Sequence, residues 1–133
     1  MDLIKCFNDT MGLATEGKLR HKTRKAQKSV RVYKEGFTAK KHKKFYSKAD
    51  IIVERNTSFA SASKYLKYGR TAVLNFANPV HPGGGVEVGA MAQEECLCRS
   101  SNLFACLSGK AAKEEFYDYH MNNGNNMNSD RLI

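Results

Sequence analysis

Apolar positions recur along the first fifteen residues at Leu3, Ile4, Phe7, Met11 and Ala14, close to the i, i+3, i+4, i+7 spacing of an amphipathic helix, and Gly17 stands where such a helix would be capped. The period is then lost. Lys18 to Ser29 is a basic run without apolar repeat and reads as a surface segment. Val30-Arg31-Val32-Tyr33 alternates as a short strand does, with Lys34-Glu35-Gly36 as its exit turn. Ile51-Ile52-Val53 and Thr71-Ala72-Val73-Leu74-Asn75-Phe76 are short apolar runs that suit buried strands. Between them, Thr57 or Ser58 can cap a helix whose stripe is Phe59, Ala62, Tyr65, Leu66 and Tyr68. Strand, helix and strand predict a βαβ unit with a right-handed connection, and hence an α/β fold. Gly89 to Leu107 reads as helix with a break at Ser100-Ser101, Ala111 to His120 as a short helix, and Met121 to Ser129 as an Asn-rich loop. Arg131-Leu132-Ile133 resembles the start of a further strand.

The stretch from Thr71 to Phe104 organises the rest. Asn78-Pro79 ends the apolar run, Pro79 and Pro82 remove backbone donors, and Gly83-Gly84-Gly85 opens angles closed to other residues. A glycine loop lets backbone approach a ligand, and a helix start favours negative charge, so phosphates and anionic sugars suit this order of elements. Gln93, Glu94 and Glu95 follow near the predicted helix start. Glycosidic cleavage needs a carboxylic acid to protonate the leaving oxygen and a second polar group to hold sugar or water, and neighbouring acids can divide those roles.

Gly83-Gly84-Gly85, seven intervening residues and Gln93-Glu94-Glu95 resemble the signature of the bacterial-type poly(ADP-ribose) glycohydrolase family. The flanks Leu74-Asn75-Phe76-Ala77-Asn78 and Cys98-Arg99-Ser100-Ser101-Asn102-Leu103 are similar to it as well. The resemblance implies a macrodomain-like mixed sheet with flanking helices. It implies Glu95 as general acid, Glu94 as partner of the neighbouring ribose hydroxyl, and Asn78 as holder of the terminal ribose. Gly83, Gly84, Gly85 and Val86 would line the ligand, and Gln93 would support the loop. No metal or cofactor is expected. Members of the family continue with further strands, a second phosphate loop and an aromatic residue packed on adenine. The 133 residues are therefore expected to form one partial domain, a basic portion over 1–70 and the glycine loop and acid helix over 71–133, incomplete at the C-terminus.

Charge adds a second theme. Residues 1–70 hold 18 Lys and Arg against 6 Asp and Glu, a net of +12, and residues 71–133 hold 4 against 7, a net of −3. Such asymmetry suits a polyanion, either poly(ADP-ribose) or nucleic acid, as well as a solvated basic surface. The densest patch is Lys40-Lys41-His42-Lys43-Lys44, followed by Phe45 and Tyr46. Cys6, Cys96, Cys98 and Cys106 fit reduced thiols, and Cys96 and Cys98, two apart, make a poor metal pair on a helix. With no apolar run near the roughly 18 residues of a membrane helix and no secretory signal, a cytoplasmic address without membrane contact is expected. Two functions follow: hydrolysis of the ribose–ribose bond of poly(ADP-ribose) to release ADP-ribose, or a non-catalytic ADP-ribose or polyanion-binding module. ADP-ribosylated proteins are possible partners of either, and an unpaired sheet edge would invite self-association.

Overall fold

The computed structural model describes residues 1–41 and 48–123. Its elements are helical: α1 (Leu3–Thr15), α2 (Arg20–Ser29), α3 (Ser58–Tyr65) with a 3₁₀ turn at Leu66–Tyr68, a 3₁₀ turn at Val86–Val88, α4 (Gln93–Arg99), α5 (Leu103–Leu107), α6 (Lys110–Ala112), a π turn at Lys113–Tyr117, and α7 (Asp118–Asn122). Two compact units result: one runs Met1–Gly36 and resumes at Asn75, and the other is Phe37–Leu74.

In the first unit, α1 starts where the Asp2 carboxylate accepts the Lys5 N–H at 2.9 Å, satisfying a donor that a helix start leaves open. Phe7 and Ala14, two turns apart on one face, are buried. Phe7 meets the ring of Phe104 edge to face at 4.9 Å and joins Val86, Cys98, Leu107, Ala112, Phe116 and Tyr117 in one core. Polar ties fix how the helices lie. The Thr10 hydroxyl donates to the Arg99 carbonyl at 2.7 Å, and the Gln27 amide donates to the Ala105 carbonyl at 2.8 Å.

Those ties explain α2. The basic run read as a surface segment is largely exposed, but it is a helix from Arg20, built of good helix formers such as Arg, Lys, Gln and Ala. Thr23 and Gln27, four residues apart on one face, reach Asn102 and Ala105 respectively. The long-range contacts supply what the missing apolar period does not.

The second unit centres on α3. Thr57 caps it by accepting the Ala60 N–H at 3.2 Å, and the Glu54 carboxylate accepts the Ser61 hydroxyl at 2.8 Å and the Lys64 ammonium at 2.5 Å. Of the expected stripe, Leu66 and Tyr68 remain exposed.

The expected α/β, macrodomain-like mixed sheet is not what the chain forms: no strand occurs among the described residues. A strand exists only by pairing, and among the described residues the expected runs show no more than a single isolated bridge at Tyr33. Ile51 is 89% exposed, Val53 94%, Leu74 71% and Phe76 71%, and these runs take up extended or irregular backbone. Val30 and Val32 pack instead against the helical core. The βαβ unit therefore does not form. The break expected at Ser100-Ser101 does separate α4 from α5, and the helix expected over Ala111 to His120 extends to Asn122, so Met121 and Asn122 belong to helix rather than loop. His42 to Tyr46 of the basic and aromatic patch, the rest of the Asn-rich stretch from Gly124 on, and Arg131 to Ile133 lie outside the described residues.

Candidate active site

The glycine segment folds back on itself before it meets α4. The Asn78 side chain accepts the N–H groups of Val80 at 2.9 Å and His81 at 2.8 Å, which turns the chain through Pro79. Inside the loop, Gly84 N–H donates to the His81 carbonyl at 3.0 Å and Val86 N–H to that of Gly83 at 3.2 Å. Gly83 and Gly84 have φ of +70° and +56°, the left-handed region that only glycine enters freely. Close packing makes the same demand. A Cβ on Gly83 would stand 2.6 Å from a ring carbon of Phe104, and one on Gly84 would clash with Oε1 of Glu95. Val86, fully buried, anchors the end of the loop in the core.

Helix α4 presents its first turn to this loop. Successive residues on a helix diverge by about 100°, so the adjacent acids leave in different directions. Glu94 turns to the segment before the loop: its carboxylate accepts the Asn78 N–H at 2.8 Å and the Asn75 side-chain amide at 3.2 Å. Gln93 reaches the same segment, its carbonyl oxygen accepting the Phe76 N–H at 2.9 Å. Glu95 turns to the loop itself. Its Oε1 accepts the Gly85 N–H at 3.0 Å, while Oε2 is buried with no hydrogen-bond partner. Glu94 and Glu95 are 3% and 7% exposed, so neither is an ordinary solvated surface acid.

The structure thus brings together every residue expected at the site: Asn78, Gly83, Gly84, Gly85, Val86, Gln93, Glu94 and Glu95. It adds others that periodicity could not reveal. Asn75 holds Glu94, and its Oδ1 is buried without a partner. Arg99, 6% exposed at the end of α4, donates to the Ala90 carbonyl at 2.5 Å and so closes the stretch between loop and helix. Beneath them lies Cys98, its thiol pushed up to about 12 by burial first, then by the charges of Glu94 and Glu95, with Arg99 opposing. Burial also raises the Tyr117 phenol, helped by Glu94 and Cys98, and its hydroxyl is buried without a partner. These two groups form a neutral floor under the acid pair. In sequence they lie 3 and 22 residues beyond Glu95, and only packing brings them to it.

All four cysteines are free. Among the described residues, no group of three or more His, Cys, Asp or Glu side chains is placed to hold a metal ion, and no helix is long and apolar enough to cross a membrane. The second acid pair, Glu114 and Glu115, has no glycine loop against it. Glu115 pairs with Lys34 at 3.1 Å, and Glu114 stands 3.9 Å from Lys110.

Comparison with known proteins bears on this geometry. The chain is similar in structure to poly(ADP-ribose) glycohydrolase from Thermomonospora curvata, at 28% identity and a TM-score of 0.76, over 97% of this chain and 52% of that one. It is similar as well to the glycohydrolase of that organism bound to the inhibitor ADP-HPD, at 28% identity and a TM-score of 0.74, over 97% and 51%. The chain thus spans about half the length of the solved structures it matches. No curated protein matches it. The family described as the microbial-type PARG catalytic domain matches residues 3–133, and the chain belongs to that family.

Proposed function

We propose that the chain carries the acid-bearing part of a poly(ADP-ribose) glycohydrolase site and cleaves the ribose–ribose bond of the polymer to release ADP-ribose. The observation that carries this reading is the state of Glu95: Oε1 is tied to Gly85 N–H and Oε2 is buried with nothing to bond. A buried carboxyl oxygen left unpaired is costly, and a proton on Oε2 with a ligand oxygen beside it removes that cost.

In the reaction, Glu95 gives its proton to the glycosidic oxygen. The bond from that oxygen to the anomeric carbon breaks, its electron pair leaving with the oxygen as a ribose hydroxyl and an oxocarbenium-like sugar remaining. Water then adds its oxygen to the anomeric carbon and returns a proton to the Glu95 carboxylate. Glu94 aligns the neighbouring ribose hydroxyl, Asn78 holds the terminal ribose, and Gln93 keeps the preceding segment in place. The N–H groups of Gly84, Gly85 and Val86 already donate within the protein. Gly83, Gly84, Gly85 and Val86 therefore serve mainly as a surface free of protruding side chains against which diphosphate and ribose can lie. ADP-ribosylated proteins would be natural carriers of the polymer, and four free thiols suit a cytoplasmic setting.

The test is Glu95→Gln, which keeps the shape and the acceptor for Gly85 but has no acidic proton. Release of ADP-ribose from purified polymer should fall by about 10²-fold or more while calorimetric binding of ADP-ribose persists. Unchanged turnover would remove Glu95 from the mechanism. The second reading, a non-catalytic polyanion-binding module, draws on the net +12 of residues 1–70. Binding of polymer by the unaltered chain with no turnover would favour it.

A further inference from the structure

A cleft of about 510 Å³ lies away from the glycine loop, walled by the later turns of α2, by Cys106 at α5, and by the start of the segment that opens with α6. Its chemistry is one-sided: Arg24, Lys28 and Lys110 line it, and among the described residues no carboxylate and no aromatic ring does. Arg24 and Lys28 form no ion pair among the described residues, and Lys110 has only the 3.9 Å approach to exposed Glu114. The walls are fixed by the fold. Gln27, also lining the cleft, is bonded to the Ala105 carbonyl at 2.8 Å, and Val30 packs on the core. Three cations held around one concave space repel one another unless an anion enters between them, and a cleft focuses that field.

We propose that this cleft is a second contact for the ADP-ribose polymer, taking a pyrophosphate of the chain beyond the unit being cleaved. The inference rests on the glycohydrolase reading for the identity of the polyanion. Cleft and glycine loop belong to the same compact unit, so both are presented by one body. The lining argues for phosphate contact over single-stranded nucleic acid, because strand-binding grooves add aromatic platforms on which bases stack, and the described residues of this one include none. It distinguishes polymer from monomer. A single ADP-ribose in the glycine loop has no phosphates left to fill a second site, whereas a polymer has one pyrophosphate per repeat.

The experiment compares the unaltered chain with R24E/K28E and, on a different element, K110E. Fluorescence anisotropy with labelled poly(ADP-ribose) and with single-stranded DNA of equal phosphate number, over a salt series, is set beside calorimetry with monomeric ADP-ribose. The double variant should lose about tenfold or more in polymer affinity and lower the salt slope by about 1.4. K110E should shift both in the same direction, and monomer affinity should stay within twofold. Polymer affinity and slope unchanged in both variants would overturn the proposal. So would an equal loss for DNA and polymer, which would make the cleft a general polyanion site, or a loss confined to DNA. Loss of monomer binding by the unaltered chain would instead count against the glycine-loop reading, and the polymer titration reports on the cleft separately.

Discussion

Gly84 and Glu95 approach so closely that no side chain fits between them: at φ +56°, a Cβ on Gly84 would clash with Glu95 Oε1. The loop is glycine here because the acid is there. Gly84→Ala should therefore lose about 1–3 kcal/mol of stability from the backbone angle alone and displace the Glu95 carboxylate. ADP-ribose affinity should fall with it. Gly12→Ala is the control, since nothing lies within 4 Å of the added carbon in the middle of α1. It should stabilise by about 0.5–1 kcal/mol. Urea unfolding of both variants checks the pair, and equal behaviour would show that the clash at Gly84 is absent.

Glu94 has a structural duty that a catalytic role does not replace. Removing its carboxylate leaves the part-buried Asn78 N–H and the Asn75 amide without their acceptor. Glu94→Ala should cost about 1–3 kcal/mol, and Glu94→Gln, which keeps one carbonyl oxygen, distinctly less. A double-mutant cycle with Asn75→Ala should show coupling. Strict additivity in denaturation would mean that the 3.2 Å contact carries no energy.

The neutral floor makes stability sensitive to alkali. The Cys98 thiol, ordinarily near 9, is held to about 12 in the folded protein. Below pH 9 it is protonated in both states, so its full contribution is present. Between pH 9 and 12 the unfolded chain ionises and the folded one does not, and stability falls by about 1.4 kcal/mol per pH unit from this group. Cys106 and Tyr117, both raised by burial, add in the same direction. Denaturation midpoints at pH 8, 9.5 and 10.5 should descend, and Cys98→Ala should descend less steeply by about one proton. A flat profile would contradict the buried thiol.

Thiol accessibility offers a separate check. Cys96 is exposed and Cys98, two residues on, is fully buried. Iodoacetamide at pH 8 should modify Cys96 in minutes and Cys98 only on unfolding, because alkylation needs a thiolate within reach. Peptide mapping reads the order directly, and comparable rates at the two positions would be inconsistent with the packing of α4.

Local rules made much of the chain legible. Helix α1 follows from apolar spacing, α3 from a threonine cap, and the break between α4 and α5 from paired serines. Each depends on neighbours within a turn or two. The strands failed for the opposite reason. Ile51 to Val53 and Leu74 to Phe76 have the composition of buried strands, yet pairing is a property of two segments, and none joins them among the described residues. The helical conformation of α2 was not legible for a related reason, since Asn102 and Ala105, which hold it, lie 79 and 78 residues away.

At the site the division is sharper. Sequence alone determined the ingredients: a triple glycine, seven residues, then Gln93-Glu94-Glu95, a spacing short enough that loop and acids must be neighbours. The family resemblance implies separate roles for Glu94 and Glu95, but the spacing by itself does not say which way each side chain faces. Tertiary structure decided that. A helix turns by about 100° per residue, so once α4 is docked against α1 and the loop, Glu94 faces Asn75 and Asn78 while Glu95 faces Gly85. Packing also placed Cys98 and Tyr117 beneath the pair, as core burial depends on which faces meet and not on which residues adjoin.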